Sequence, residues 1–324
     1  MLKKMMNSAR IKMKINPVDP LLIKSGQANV GGVDMAFVRT YKYGEKEEPF
    51  IPGSSMKGMI RSYAEKICRS LRDKPVPVCL PYVDVGKEDR HEKDQASCGL
   101  RISAYKKKKP IPSPKIYSLS CPVCRLFGSH EFIGRCSASD AYLTADANKP
   151  GGHVLEIRDG VAIDRFTGGA AKGAKYDLEV LTKGEFETVL DVRNFERWQM
   201  GLLGLVIRDM EEGLVRLGFG KSRGLGRFQA QITEFHLGYY AKPAEHFTGI
   251  AGICTPEECS AYGFFAETQQ QNPLPQPKKN GLRYEYDITA NWKTVLEPAV
   301  ADLVGMIGNL AWPKNIDQFL GKEA

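Results

Sequence analysis

Four cysteines and a short cationic turn are the residues of this chain whose types and spacing best suit chemistry. Cys121-Pro-Val-Cys124 is a C-x-x-C knuckle, and Cys79 and Cys98 lie upstream of it, giving C-x18-C-x22-C-x2-C. Tetrahedral zinc takes four thiolates, and one tight pair with two remote partners is a workable set. His91 is an alternative fourth ligand. A redox pair or unpaired thiols are the competing reading of the knuckle. Cys68, Cys136, Cys254 and Cys259 read as buried or incidental thiols.

The cationic turn lies in Phe50-Ile-Pro-Gly-Ser-Ser-Met-Lys-Gly-Met-Ile-Arg-Ser62. A strand end breaks at Pro52-Gly53, and Ser54 and Ser55 are expected to cap a helix running to about Arg72. Lys57 and Arg61, four apart, share one face of that helix. A helix start with free N–H groups and two cations beside it suits a phosphate, and a nucleic-acid backbone supplies phosphates in series. A strand–turn–helix with solvated cations is the plain alternative.

Three further pieces carry chemistry. Gly218, Gly220, Gly224 and Gly226 surround Lys221, Arg223 and Arg227, a loop in which glycine allows close backbone approach and the cations supply phosphate affinity. A helix precedes it and a strand follows, the reverse of the order a nucleotide-binding G-x-G-x-x-G needs. Asp34, in the Gly-rich Gly31-Gly-Val-Asp-Met35, is an acid able to bind a divalent metal or act on a ribose hydroxyl, or simply to close its own turn. Arg165-Phe166, followed by small residues, reads as a hairpin tip able to wedge between bases or stack on them; a plain surface hairpin competes with that.

The elements that must position these residues follow from the pattern. Residues 9–24 alternate as a strand running into an extended segment, and 37–43 suggest a hairpin. A helix over 54–72 comes next. Residues 73–120 break into prolines and charges, unexpected inside a compact domain unless a metal holds them. Strands are expected at 132–143, within 154–182 and at 184–192, a helix at 194–213, and a strand to about 236. Residues 267–281 look like a linker, with a strand near 282–289 and a helix near 295–310 after it. With 324 residues, 42% hydrophobic, the chain supports one elaborated domain or two smaller ones. The formal net charge of +8 leans toward a polyanionic partner. No apolar run approaches a membrane span and no signal-peptide core is present, so the expected location is cytoplasmic, where eight cysteines favour metal binding or burial over disulfides.

In this order the pieces resemble the RAMP superfamily of CRISPR proteins, and more narrowly the repeating backbone subunit of type III RNA-guided complexes, with a cysteine set like that of a III-D-like branch. The resemblance rests on Ile51-Pro-Gly-Ser-Ser-Met-Lys-Gly58 with Arg61, on Cys121-Pro-Val-Cys-Arg-Leu-Phe-Gly128 with Ser139-Asp-Ala141, on Ile163-Asp-Arg-Phe-Thr-Gly-Gly169, and on Gly218–Gly226. It spans roughly residues 10–236. It implies an α+β fold: a modified RRM-like (ferredoxin-like) core formed by 1–72 and 132–240, and a zinc-stabilised insertion at 73–131. A β-hairpin thumb at about 156–182 and a C-terminal extension at 241–324 complete the expected organisation.

The resemblance further implies that Ser54, Ser55, Lys57, Arg61, Lys221 and Arg223 hold a CRISPR guide RNA, with Arg165 and Phe166 acting at the thumb. Copies would stack head to tail beside other effector subunits and present the guide to complementary target RNA. Cys79, Cys98, Cys121 and Cys124 would hold structural zinc. Asp34 is the position that matches the target-cleaving aspartate of type III relatives, working with magnesium or another divalent metal through attack of a ribose 2′-OH on the adjacent phosphate. The alternatives are a non-cleaving backbone subunit of a type IV or DNA-targeting complex, and a repeat-processing endoribonuclease. The second usually relies on a histidine near its N-terminal region, and this chain has none before His91.

Overall fold

The computed structural model describes residues 3–26, 32–42, 46–81, 96–269 and 272–312. The first alternating segment forms β1 (Asn7–Pro17), which buries Ala9, Ile11, Met13 and Ile15 and turns Arg10, Lys12 and Lys14 to the other face. The hairpin β2 (Arg39–Lys42) and β3 (Lys46–Ile51) leads into α1 (Gly53–Leu71). Three short helices follow, α2 (Cys98–Lys106), α3 (Ser113–Leu119) and α4 (Pro122–Phe127). A small hairpin, β4 (Gly128–Ser129) and β5 (Phe132–Ile133), precedes β6 (Cys136–Ala138) and β7 (Ala141–Leu143). A long hairpin of β8 (Val154–Ile163) and β9 (Ala170–Lys183) then leaves the sheet. The chain returns through β10 (Phe186–Arg193), α5 (Arg197–Glu211) and β11 (Phe228–Tyr240). Beyond these lie α6 (Pro256–Tyr262), β12 (Lys278–Asn280), β13 (Arg283–Asp287) and α7 (Trp292–Asn309).

The fold is α+β. Among the described residues the main sheet runs β12-β13-β11-β1-β10-β7-β3-β2, with β6 also on β10, and its neighbours are antiparallel. At its centre, β1–α1–β6/β7 and β10–α5–β11 are two strand–helix–strand units interleaved so that β1 lies between β10 and β11. One face of these strands is covered by α1 and α5, where Ile60, Ala64, Trp198, Leu202, Leu203 and Val206 are buried. The other face carries cross-strand ion pairs: Lys12 with Glu187 at 3.2 Å and Glu234 at 3.8 Å, Lys14 with Glu185 at 3.0 Å, and Arg10 with Asp191 at 3.4 Å.

Two stretches differ from the sequence expectation. Residues 98–127 are largely helical, because α2 and α3 pack Ile102, Ile111, Ile116 and Leu119 into a small core of their own; runs this short carry too few turns for a periodic signal. The expected linker is tied down at its start. Glu267 accepts from Gly249 N (2.7 Å) and Thr248 Oγ1 (2.8 Å), and Thr268 N donates to Asp302 at 2.8 Å. The segment after β11 thus belongs to the body of the protein: β13 extends the sheet at β11, and α7 lies on α5. They pack so closely that a Cβ on Gly201 would sit 2.1 Å from Ala299 O.

Candidate nucleic-acid interface and metal centre

The turn from β3 into α1 is built differently from the expected serine cap. Pro52 occupies the N-cap position and offers no side-chain hydrogen bond, so Ser54 and Ser55 fall inside the first turn. The first helical N–H is taken by a distant acid: Gly53 N donates to Asp140 Oδ1 at 2.7 Å. Gly53 is needed there, since a Cβ would meet Ala138 O at 2.4 Å. Ser55 N and Met56 N donate to Pro52 O at 2.9 and 3.1 Å. One carboxylate therefore already sits on the positive end of this helix, a contribution that sequence reasoning missed although Asp140 lies in the quoted Ser139-Asp-Ala141.

Below that turn, the Lys57 and Arg61 face of α1 lines a cavity of about 760 Å³. Its other walls come from Ser97, Cys124, the β4–β5 hairpin and Gly134. The two cations are used differently. Lys57 has no ion pair among the described residues, whereas each nitrogen of the Arg61 guanidinium donates one hydrogen bond, three of its five N–H groups. Its Nε donates to Glu65 Oε1 at 3.2 Å, Nη1 to Gly128 O at 3.2 Å, and Nη2 to Cys124 Sγ at 3.4 Å.

The cysteines at the back of this wall come together. The Sγ atoms of Cys79, Cys98, Cys121 and Cys124 all lie within 4.8 Å of one another, and all four residues are buried. The Cys79–Cys124 and Cys79–Cys121 sulfur separations are 3.5 and 3.7 Å. A tetrahedron with zinc–sulfur bonds of about 2.3 Å has sulfur–sulfur edges of about 3.8 Å, so the donor set fits a metal ion such as zinc. Backbone N–H groups support it, Cys121 N to Cys98 Sγ at 3.2 Å and Cys124 N to Cys121 Sγ at 3.4 Å. Burial opposes a charge on Cys121, but hydrogen bonds from Cys124, Cys79 and Cys98 outweigh it and hold that thiol well below its ordinary value. Burial pushes Cys98 well up, and the hydrogen bond to Cys121 does the same to Cys124. A metal bound here would take the four sulfurs as thiolates and release whatever protons they hold. His91 lies outside the described residues. Among the described residues, these cysteines are the cluster of three or more ligating side chains close enough for one ion.

The remaining candidates meet along β9. Asp34 is exposed, and its Oδ2 accepts from Asp177 N at 3.0 Å, while Met35 bridges to Leu178. Asp177 titrates above its ordinary range because its carboxyl shares a hydrogen bond with Asp159, with further repulsion from Asp159 and Asp34. One residue earlier on β9, Tyr176 OH accepts from Arg223 Nη1 at 3.0 Å, and Arg223 also lies 5.0 Å over the Phe219 ring. The Asp34 loop and the glycine-rich loop therefore brace adjacent residues of the same strand. Gly218 has φ +81, and a Cβ on it would lie 2.3 Å from Leu22 O, which locks that loop against the segment after β1. Lys221 is exposed beside a hollow of about 210 Å³ that also takes in Ser62, Tyr63, Lys66 and Arg216. Far from these anchors, Arg165 and Phe166 are exposed in the turn between β8 and β9.

Residues 14–229, from β1 to the start of β11, match the RAMP superfamily. The chain belongs to the RAMP superfamily. It is also 26% identical over 231 residues to the CRISPR system Cms endoribonuclease Csm3 of Methanocaldococcus jannaschii, an alignment covering 68% of this chain and 75% of that one. The RAMP match takes in α1, the cysteine knuckle, the long hairpin and the glycine-rich loop, and it ends before the extension that carries α7. No helix among the described residues is long and apolar enough to cross a membrane.

Proposed function

We propose that this RAMP protein is a backbone subunit of a type III CRISPR effector complex, which binds along the guide RNA and presents it to complementary target RNA in the cytoplasm. The observation that carries the reading is the cavity at the start of α1, inside the RAMP-matched span. It places Lys57, with no ion pair among the described residues, beside Ser54 at a helix start, where a phosphate gains from both charge and dipole. The interleaved β1–α1–β6/β7 and β10–α5–β11 units are what a ferredoxin-like core contains.

The β8–β9 hairpin serves as the thumb in this reading. Its exposed Phe166 suits insertion at a base step, and Ile157, Val161 and Ile163 are exposed along β8. A two-stranded hairpin with exposed apolar residues gains by being covered, and a neighbouring copy stacked along the same RNA supplies that cover. Zinc at Cys79, Cys98, Cys121 and Cys124 would fix the insertion: the four thiolates hold it, and it supplies cross-linking in place of a larger core. The archaeal relative is named an endoribonuclease, and Asp34 is the residue through which we extend that activity here, with a divalent metal at the scissile ribose.

The test is assembly on a CRISPR RNA followed by labelled complementary RNA and magnesium. Regularly spaced cuts that vanish in Asp34→Ala establish the cleaving backbone. Target bound equally and left whole by both proteins makes it a non-cleaving one. Failure to assemble on the guide overturns the reading.

A further inference from the structure

The two cations that the sequence places on one face of α1 are separated by their partners. Lys57 lines the cavity with no ion pair among the described residues, while each nitrogen of the Arg61 guanidinium meets an acceptor: Glu65 Oε1, Gly128 O and Cys124 Sγ. A guanidinium is a planar fork with donors in fixed directions, so three bonds to the protein set its plane and orient it toward the cysteines, and turning it to a phosphate would break them. The cysteine cluster has the opposite need. Four thiolates around a divalent ion carry two net negative charges, and all four cysteines are buried, where an uncompensated charge is costly. Arg61 Nη2 is the cationic donor that reaches one of these sulfurs, at 3.4 Å. The same side chain fixes the carbonyl of Gly128, whose φ of +89 begins the β4–β5 hairpin on the cavity's far wall.

We propose that Arg61 is a positioning residue of the thiolate metal centre and not a ligand of RNA phosphate. By donating to Cys124 Sγ it offsets the charge of the centre, slows loss of the metal, and joins the centre to the wall of the RNA cavity. Lys57 is then the cation of this turn that meets the nucleic acid. This role rests on the metal centre proposed above.

The full-length protein, purified with zinc, tests it through three measurements on wild type, Arg61→Ala, Arg61→Gln and Lys57→Ala. These are zinc transfer to a chromogenic chelator, the thiolate-to-metal charge-transfer band after cobalt substitution, and the salt dependence of binding to a CRISPR RNA. Loss of a group hydrogen-bonded to a metal ligand typically lowers metal affinity about 10- to 100-fold, and Arg61→Ala is expected to show that loss with a shifted cobalt band. Arg61→Gln keeps an amide NH2 donor without the charge and is expected to recover part of the retention. Both are expected to leave the salt slope of RNA binding at the wild-type value. Lys57→Ala is expected to do the reverse, holding metal normally and losing about one phosphate contact from the slope. Arg61 variants that hold zinc like wild type and lose a unit of slope overturn the proposal. A wild-type chain that takes up neither zinc nor cobalt removes the metal centre itself, a separate failure visible before any variant is made.

Discussion

The region beyond β11 falls outside the RAMP match, yet a buried, two-pronged ion pair attaches it to α5, and Asp302→Ala tests that attachment. Arg197, in the first turn of α5, places Nε 2.5 Å from Asp302 Oδ2 and Nη2 3.0 Å from Oδ1, with both side chains 1% exposed. Asp302 also accepts from Thr268 N, and Arg197 reaches Thr268 O at 2.9 Å and Thr268 Oγ1 at 3.0 Å. Removing one member of a buried pair costs about 3–5 kcal/mol, because the other charge stays behind. Here Glu267 remains 3.6 Å from Arg197 Nε and takes over part of the compensation, which brings the ionic cost to the lower limit. The orphaned Thr268 N–H adds about 1 kcal/mol. The expected loss is therefore about 4 kcal/mol, or a fall in Tm of about 8 °C at roughly 2 °C per kcal/mol for a chain of this size. Urea and thermal melts should give that difference with little dependence on salt, since a buried pair is poorly screened. Asp302→Leu combined with Arg197→Met should recover most of it, because similarly shaped apolar residues replace such pairs at little cost. A drop below about 1 kcal/mol for Asp302→Ala would refute the reasoning and make the extension a peripheral addition.

Other expectations are briefer. Phe166→Ala should leave Tm unchanged, because the ring is fully exposed, while weakening binding to guide–target duplex by about 1–3 kcal/mol if the ring stacks on a base; equal duplex affinity would remove it from the interface. Asp140→Ala should cost about 1 kcal/mol of stability through the lost cap on Gly53 N, yet tighten guide RNA by up to about fivefold by clearing an anion from the helix start; weaker RNA binding would mean that the cap organises the site. Burial pushes the Cys136 thiol up to about 12. Its folded value lies above the unfolded one near 9, so the folded state holds the proton longer, and stability is whole below pH 9 and lost as pH rises toward 12. That limb should fall by about 1.4 kcal/mol per pH unit and flatten in Cys136→Ala, as read from urea midpoints against pH.

What was legible in the sequence is what depends on neighbours along the chain. The alternation of Arg10, Ile11, Lys12, Met13, Lys14 and Ile15 announces β1, and Pro52-Gly53 announces α1 within a residue of where it starts. The four cysteines were legible because thiols are sparse and a C-x-x-C knuckle needs remote partners; their convergence required no other knowledge of the fold. Partners that arrive from far along the chain were not legible. Asp140 caps Gly53 across 87 positions, and Arg61 reaches Cys124 across 63. Each is an ordinary charged residue with no local pattern to mark its partner. The same holds for Thr268, in the stretch read as a linker, and for Asp302, in the helix expected near 295–310, until the fold places them against Arg197. In each case the partner comes from a segment that no local pattern connects to the residue it meets.

That distinction bears on how the superfamily motif should be interpreted in this chain. A string such as Pro-Gly-Ser-Ser-Met-Lys-Gly with a following Arg invites the inference that every cation in it contacts RNA. The packing argues for a division of labour instead. A residue whose donors are already matched by a sulfur, a carbonyl and a carboxylate must break those contacts to bind a phosphate, and each break in a half-buried site has a cost. Lys57 has no such contacts to break among the described residues, so the same phosphate gains more from it. Arg223 repeats the pattern at the glycine-rich loop, where Tyr176 OH and the Phe219 ring hold it against the hairpin base while Lys221 remains exposed. At both places the arginine has contacts to the scaffold, although Arg223 is as exposed as Lys221 and Lys57 is half-buried like Arg61; guanidinium geometry suits that use, since the planar fork can meet several protein acceptors at once, whereas an ammonium on a flexible stem is the better group to leave for a ligand that arrives and departs.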